Sequence, residues 1–403
     1  MGKHSITKSI AGAVAVLLVA GCAAGVPSVG GIAVSPGSLP GSAPCAVSTV
    51  AESIPDAGVM FGVNLDWGAE SLAQFADKLG KRPEVAVSFA TFPMDAQTVT
   101  NVNAAADQVR MNGGTLLLTL EPHQGLAAVT DAVARDLAAL VRPFNDTGVS
   151  VIVRFAHEMN GSWYEWGQQP IEYVDAFRRV AAALRKDAPA TAMMWAPNYG
   201  GGYPYIGGAF EAGAGESRFE LLDTNADGVL TMADDPYEPY YPGDDVVDWV
   251  GMSLYHWGSK YPWGENEMPE PGKFAAQLTG EYNGLNGDDR ATPDFYQRYG
   301  VDRGMPVAIP ETAALFAPSE FTIVADELAI KQAWWRQVVS DETVAQFPQL
   351  HMVNWFEWNK VESEVGAAVD WTITSSPEIL DSFSADVPAS LLFADGPSAC
   401  EAK

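Results

Sequence analysis

Residues 151–167 read VIVRFAHEMNGSWYEWG, an apolar run that ends abruptly in polar and aromatic side chains. Val151, Ile152 and Val153 have the composition of a strand buried on both faces, as in a parallel sheet. Arg154, His157, Glu158, Asn160, Trp163, Tyr164 and Trp166 then arrive within thirteen positions. A carboxylic acid can give a proton to a bridging oxygen, and an indole offers a flat face to a sugar ring. Arg, His and Asn hold hydroxyls and carboxylates. The alternative, a strand running into an ordinary polar surface loop, does not account for so many of these types together.

Working outward, short apolar runs recur at Val59 to Val63, Val85 to Phe89, Thr115 to Leu120, Val149 to Phe155, Ala192 to Ala196, Trp249 to Leu254, Pro306 to Ile309 and His351 to Phe356. Helical spacing lies between them: Leu72, Phe75, Ala76, Leu79; then Val133, Leu137, Leu140, Val141; then Val174, Phe177, Val180, Ala181, Leu184. Alternating strands and helices predict parallel pairing through crossover helices. Eight such units closing on themselves make a (β/α)8 TIM barrel; an open doubly wound sheet is the second arrangement the alternation allows.

Barrel active sites sit at the C-terminal ends of the strands, and most of these runs end in chemistry-bearing residues. They are Asn64 with Asp66 and Trp67, Glu121 with His123, His157 with Glu158, Asn198, Tyr255 with His256 and Trp257, Glu311, and Trp355 with Glu357 and Trp358. The shared opening predicted from them contains two carboxylates on facing strands: Glu158 after the fourth run and Glu311 after the seventh. Cleavage of a glycosidic bond with retention needs such a pair about 5–5.5 Å apart, and inversion needs about 6.5–9.5 Å. The surroundings of Glu158 should keep it protonated, while Glu311 stays ionised.

These residues resemble a known family. RFAHEMNGSWYEWG is similar to the acid/base motif of glycoside hydrolase family 26, home of many β-mannanases, in which His-Glu replaces the Asn-Glu of the wider 4/7 barrel clan. Trp195 to Asn198 (WAPN), Tyr240 to Tyr255 (YYPGDDVVDWVGMSLY) and Glu311 match further, and the resemblance covers roughly residues 55 to 375. It implies Glu158 as acid/base, Glu311 as nucleophile, and Tyr255 as the nucleophile's hydrogen-bond partner. Arg154, His157, Trp163 and Trp355 would line the cleavage point. The chain departs from the family pattern around the nucleophile, with Pro310 before Glu311 and Thr312-Ala313 after it.

Between runs five and six lies an insertion containing Asp223, Asn225, Asp227, Gly228, Val229, Thr231 and Asp234, the spacing of an EF-hand loop with its glycine at position six. The twelfth position is Asp234 rather than Glu. Asp223, Asn225, Asp227, Val229 and Asp234 are the expected ligands of a structural calcium ion; an acidic turn without metal is the alternative. Catalysis by two carboxylates needs no cofactor. The five histidines form no HExxH-type pair, which argues against a metal-dependent hydrolase.

The amino terminus carries Lys3 and Lys8, an apolar stretch from Ile10 to Val19, and Val19-Ala20-Gly21-Cys22, which resembles a bacterial lipobox. Residues 1–21 therefore read as a lipoprotein-type signal peptide with Cys22 as the lipidated residue. Residues 22–48 read as a flexible Gly/Pro/Ser-rich tether, and 49–403 as one catalytic barrel domain. Ordinary cleavage with release of a secreted product is the competing reading. Cys45 and Cys400 are then the remaining pair, and an exported chain would bond them.

The formal charge is −28, and removing Lys3 and Lys8 makes it two units more negative. Such a surface repels nucleic acid and anionic lipid, so membrane contact is expected only through the lipid anchor. A neutral polysaccharide is not repelled. The reading that unites these features is an exported or surface-anchored retaining endo-β-glycanase, mannanase-like or acting on another β-glycan or exopolysaccharide. The competing readings are a carbohydrate-binding lipoprotein without catalysis and a calcium-dependent adhesion module. The first of these leaves the paired acids unexplained, and the second makes the barrel only a scaffold. The sequence carries no signal for oligomeric state.

Overall fold

The structure, a computed structural model, describes residues 46–259, 263–284, 292–318 and 326–397. Cys22, Cys45 and Cys400, the signal and most of the tether lie outside them. The strands of the barrel are β1 (Val59–Leu65), β2 (Val85–Thr91), β3 (Thr115–Glu121), β4 (Ser150–Phe155), β5 (Ala192–Trp195), β6 (Trp249–Gly251), β7 (Val307–Thr312) and β8 (Leu350–Glu357). Each pairs in parallel with the next. The pairing of Met60 with Met352 through Leu65 with Glu357 closes β1 onto β8. The architecture is thus a (β/α)8 barrel, and an open sheet is excluded by that closure.

Period-two alternation divides the strand side chains between two cores. Met60, Val85, Val87, Leu117, Ile152, Met194, Trp249 and Met352 fill the interior. Their neighbours Phe61, Val63, Leu116, Leu118, Val151 and Val153 pack outward with the helical residues Phe75, Leu137, Phe177 and Trp334. The helices include α1 (Leu72–Leu79), α2 (Ala96–Asn112), α3 (Asp131–Asp146) and α4 (Pro170–Asp187), with α6 (Lys273–Leu278) and α7 (Glu327–Val338) later in the chain. Several starts are capped in the ordinary way. Ser71, Asp95, Thr130 and Asp326 each accept a first-turn N–H on their side chains.

The N-terminal end of the barrel is stoppered. A short helical turn, Val50–Ser53, places Val50 and Ile54 against the interior core, and Trp249 donates its indole N–H to Ser53 Oγ at 3.1 Å. The last strand, Leu391–Ala394, pairs in parallel with β1 and antiparallel with Arg82–Pro83 at the same end. Among the described residues, no helix is long and apolar enough to cross a membrane.

The segment between β5 and β6 contains α5 (Ser217–Leu222), the acidic loop and a short turn at Glu238–Tyr240. Asp223 accepts N–H groups of Asp227 and Gly228, and Asp227 accepts that of Val229. Buried Asp234 accepts from Thr231, Asn225 and Thr224. Positive φ at Ala226 (58°) and Gly228 (85°) makes the sharp turn that the spacing required.

Candidate active site

The run from β4 into its following loop is bent by two residues in left-handed backbone geometry, Ala156 (φ 45°) and Glu158 (φ 56°). Such a conformation costs a non-glycine residue about 1–3 kcal/mol and persists where surrounding bonds enforce it. Here the Ala156 N–H binds Leu120 O at 2.8 Å, and the Glu158 N–H binds Ala196 O at 2.9 Å. Asn160 ties the same turn to the next strand, donating to Asn198 O and accepting from Asn198 N, each at 2.8 Å. Gly161 leaves room for Trp163; a Cβ there would lie 2.4 Å from the indole ring. Trp163 in turn donates to Glu158 Oε2 at 3.2 Å.

Across the opening, β7 breaks register with β8 between Ile309 and Thr312. A bulge tolerates Pro310, which has no N–H to donate, and re-aims the next side chain. That side chain is Glu311, buried and gripped at both oxygens. Arg154 pairs with Oε1, and the Tyr255 hydroxyl donates to Oε2 at 2.8 Å. Arg154 also donates to Ser253 Oγ at 2.7 Å. Burial, with the charge of Glu311 adding to it, holds the Tyr255 phenol well above its ordinary pKa, so it remains a donor.

Oxygens of Glu158 and Glu311 and a ring nitrogen of His157 lie within 4.8 Å of one another. Burial and the negative charge of Glu311 push the Glu158 carboxyl up to about 7; Arg154, Ser253 and Trp163 act in the opposite direction. Buried His157 is driven well below its ordinary pKa, first by burial and then by Arg154, so it is a neutral imidazole. It packs against Phe89, Tyr164 and Trp166 at ring separations of 5.5, 5.1 and 5.8 Å. A metal at this trio would compete with the Arg154 cation already seated on Glu311, so the arrangement favours proton chemistry over metal binding.

The two glutamates stand in a cleft of about 840 Å³. Trp163 and Tyr205 meet edge to face on one side, with ring centroids 5.0 Å apart. Trp257 and Trp371 meet at 4.9 Å on another, and Phe356 stacks on Trp358. The lining also includes Glu121, Asn198 and Tyr255, together with Lys360 to Glu364 of the hairpin that follows β8, in which Asn359–Glu362 pairs with Ala367–Asp370.

Several residues expected at the opening face elsewhere. Trp355, assigned to the cleavage point from the sequence, is fully buried on the outer side of β8, and its indole donates to Trp371 O. Alternation gives the cleft its neighbours Phe356 and Trp358 instead. Glu357 likewise turns outward onto the backbone of Ile373 and Thr374, and His256 turns toward Glu267 O. Asn64 is fully buried, accepting from the Trp358 indole, and Trp67 donates to Val87 O. Tyr205, Ser253 and Trp371 are site residues that the sequence reading missed. Tyr205 lies in the long segment after β5, Trp371 directly follows the outer hairpin strand Ala367–Asp370 rather than a barrel strand, and Ser253 is an unremarkable serine two residues before Tyr255.

The site is thus a closed parallel barrel whose β4 and β7 bring facing glutamates into one aromatic cleft. Residues 70–199 match the sequence model of glycosyl hydrolase family 26. Endoglucanase H of Acetivibrio thermocellus is 22% identical over 329 residues, 78% of this chain; the chain spans only 28% of the length of that relative. The fold is shared with the catalytic domain of an endo-β-1,4-mannanase from Bacillus sp. JAMB-750, at TM-score 0.51 and 17% identity over 85% of this chain and 89% of that one. It is shared also with a double mutant of a Cellulomonas fimi endo-β-1,4-mannanase, at TM-score 0.55 and 16% identity over 89% and 78%.

Proposed function

We propose that this protein is a retaining endo-β-glycanase working by double displacement. The observation that carries the reading is the approach of the Glu158 and Glu311 carboxylates, with oxygens within 4.8 Å. That spacing suits direct attack and leaves little room for the water an inverting mechanism inserts. Glu311 Oε attacks the anomeric carbon as Glu158 gives its proton to the departing glycosidic oxygen. The sugar–oxygen bond breaks and a glycosyl ester on Glu311 forms. Glu158, now ionised, takes a proton from water, whose oxygen attacks the same carbon and frees Glu311. Arg154 and Tyr255 hold the nucleophile oriented between the steps.

Two relatives with mannanase in their names, and one named as an endoglucanase, support an unbranched β-linked hexose polymer as substrate. Mannan and mixed-linkage β-glucan are the leading candidates. The test is incubation with mannan, mixed-linkage glucan, xylan and bacterial exopolysaccharides, with products analysed by mass and by the anomer first released. Products of the starting anomeric configuration support the reading; inverted products, or no cleavage of any polymer, reject it.

The lipobox at Cys22 supports an exported, lipid-anchored enzyme meeting its polymer outside the cell. The acidic loop supports a structural calcium ion, held by Asp223, Asn225, Asp227, the Val229 carbonyl and Asp234. The side-chain oxygens of Asp223, Asp227 and Asp234 are already turned onto the loop's own N–H groups, and Asp234 is buried.

A further inference from the structure

A third carboxylate borders the cleft and takes no part in the double displacement. Glu121 closes β3, which lies beside β4, the strand that leads into the acid/base glutamate. Its Oε2 lies 3.6 Å from His123 Nε2, and the other nitrogen of that ring lies 3.1 Å from Glu165 Oε2. His123 therefore stands between two acids, with a carboxylate oxygen facing each of its ring nitrogens. The ring rests against Trp166 at 5.3 Å, and Trp166 donates to His157 O at 2.7 Å. One tryptophan thus seats both the His123 support and the histidine next to the acid. Among the described residues, no donor is hydrogen-bonded to Glu121 Oε1.

A carboxylate with one oxygen facing a histidine ring at 3.6 Å and the other open, in a cleft that on this reading takes glycans, is suited to accept from sugar hydroxyls. Hydrogen bonds to an ionised acceptor are about twice as strong as neutral ones. We propose that Glu121 is a specificity-determining residue that accepts hydroxyl groups of the sugar unit beside the cleaved bond, and that His123, backed by Glu165, is its positioning residue. The inference rests on the glycanase reading and adds a residue that selects substrate without entering the bond-breaking steps. Burial raises the Glu121 carboxyl above its ordinary pKa, His123 opposes the rise, and the charge of Glu311 adds to it.

The test uses the full chain with soluble β-1,4-mannan and mixed-linkage β-glucan, comparing wild type, Glu121→Ala, Glu121→Gln, His123→Ala, His123→Gln and the double variant E121A/H123A. Loss of a charged hydrogen-bond acceptor is expected to raise KM for the cleaved polymer about 10- to 100-fold. The same change should leave kcat within about threefold, the pattern of binding shared by ground state and transition state. Glu121→Gln, isosteric and least disruptive to folding, should move KM in the same direction by less. His123→Ala should also raise KM, His123→Gln should restore part of it, and His123→Ala should add nothing in the Glu121→Ala background. An active wild type with unchanged KM in both Glu121 variants overturns the inference alone, as does a collapse of kcat at constant KM. An additive His123 effect overturns the positioning role. A wild type that cleaves neither these polymers nor any other of the glycan panel removes the glycanase reading, and this inference with it.

Discussion

Glu158 and Glu311 have the same side chain and, in the proposed mechanism, opposite tasks, and their different settings separate them. Glu311 is clasped by a guanidinium and a phenol; Glu158 has neutral partners, the Trp163 indole N–H at 3.2 Å and the Ser253 hydroxyl, and is pushed toward its neutral form. Glu158→Gln should lower kcat on unactivated polymer by about 10²- to 10⁴-fold, the usual contribution of a positioned acid. The loss should shrink on an aryl glycoside whose leaving group needs no proton. Glu311→Ala should abolish turnover while polymer affinity, measured by retardation in a gel containing the glycan, is retained. The acid must hold its proton to act, so kcat/KM should fall as pH rises through about 7, the value to which the Glu158 carboxyl is lifted. Glu158→Gln should remove that alkaline limb from the residual profile.

At the scale of single elements, Glu84 offers a stability test away from the chemistry. It precedes β2, and burial, with the charge of Asp395 adding to it, raises its carboxyl to about 7 from 4.5. The folded state therefore binds this proton more tightly than the unfolded chain. The cost of ionising it is absent below about pH 4.5 and complete above about 7. Glu84→Gln should raise Tm at pH 8 and leave it unchanged at pH 4, read by thermal melts. In the acidic loop, calcium added to chelator-treated protein should raise Tm, and Asp223→Ala should erase the gain; calorimetry with no heat of binding would remove the ion. The strands themselves were legible because burial on both faces leaves short apolar runs, as at Val151 to Val153. The orientation of β8 was not legible. Trp355, Phe356, Glu357 and Trp358 offer an aromatic or an acid at every position, so composition does not reveal which parity faces the cleft. Helix α2 was hidden by its alanines, asparagines and threonines, which leave a weak apolar stripe of Val102, Ala105, Ala106 and Val109. The pairing of Glu158 with Glu311 was readable from strand counting alone, whereas Tyr205 and Trp371 reach the cleft by loops that no periodicity marks.

For the whole molecule, the charge of −28 bears on which polymers the proposed glycanase would approach. Uronate-rich chains should be cleaved more slowly than neutral β-glycans of the same linkage, and added salt should narrow the difference by screening. Initial rates on matched neutral and oxidised polymers at low and high sodium chloride measure this; an equal rate at low salt would show that the field of the surface does not reach the cleft. The barrel floor acts at the same scale. With Val50, Ile54 and Trp249 filling it, the cylinder is a cup rather than a tube. On the proposed function, a long polymer would find no bore to thread and would lie across the rim like a rope over a pulley, and both cut ends would depart sideways into solvent.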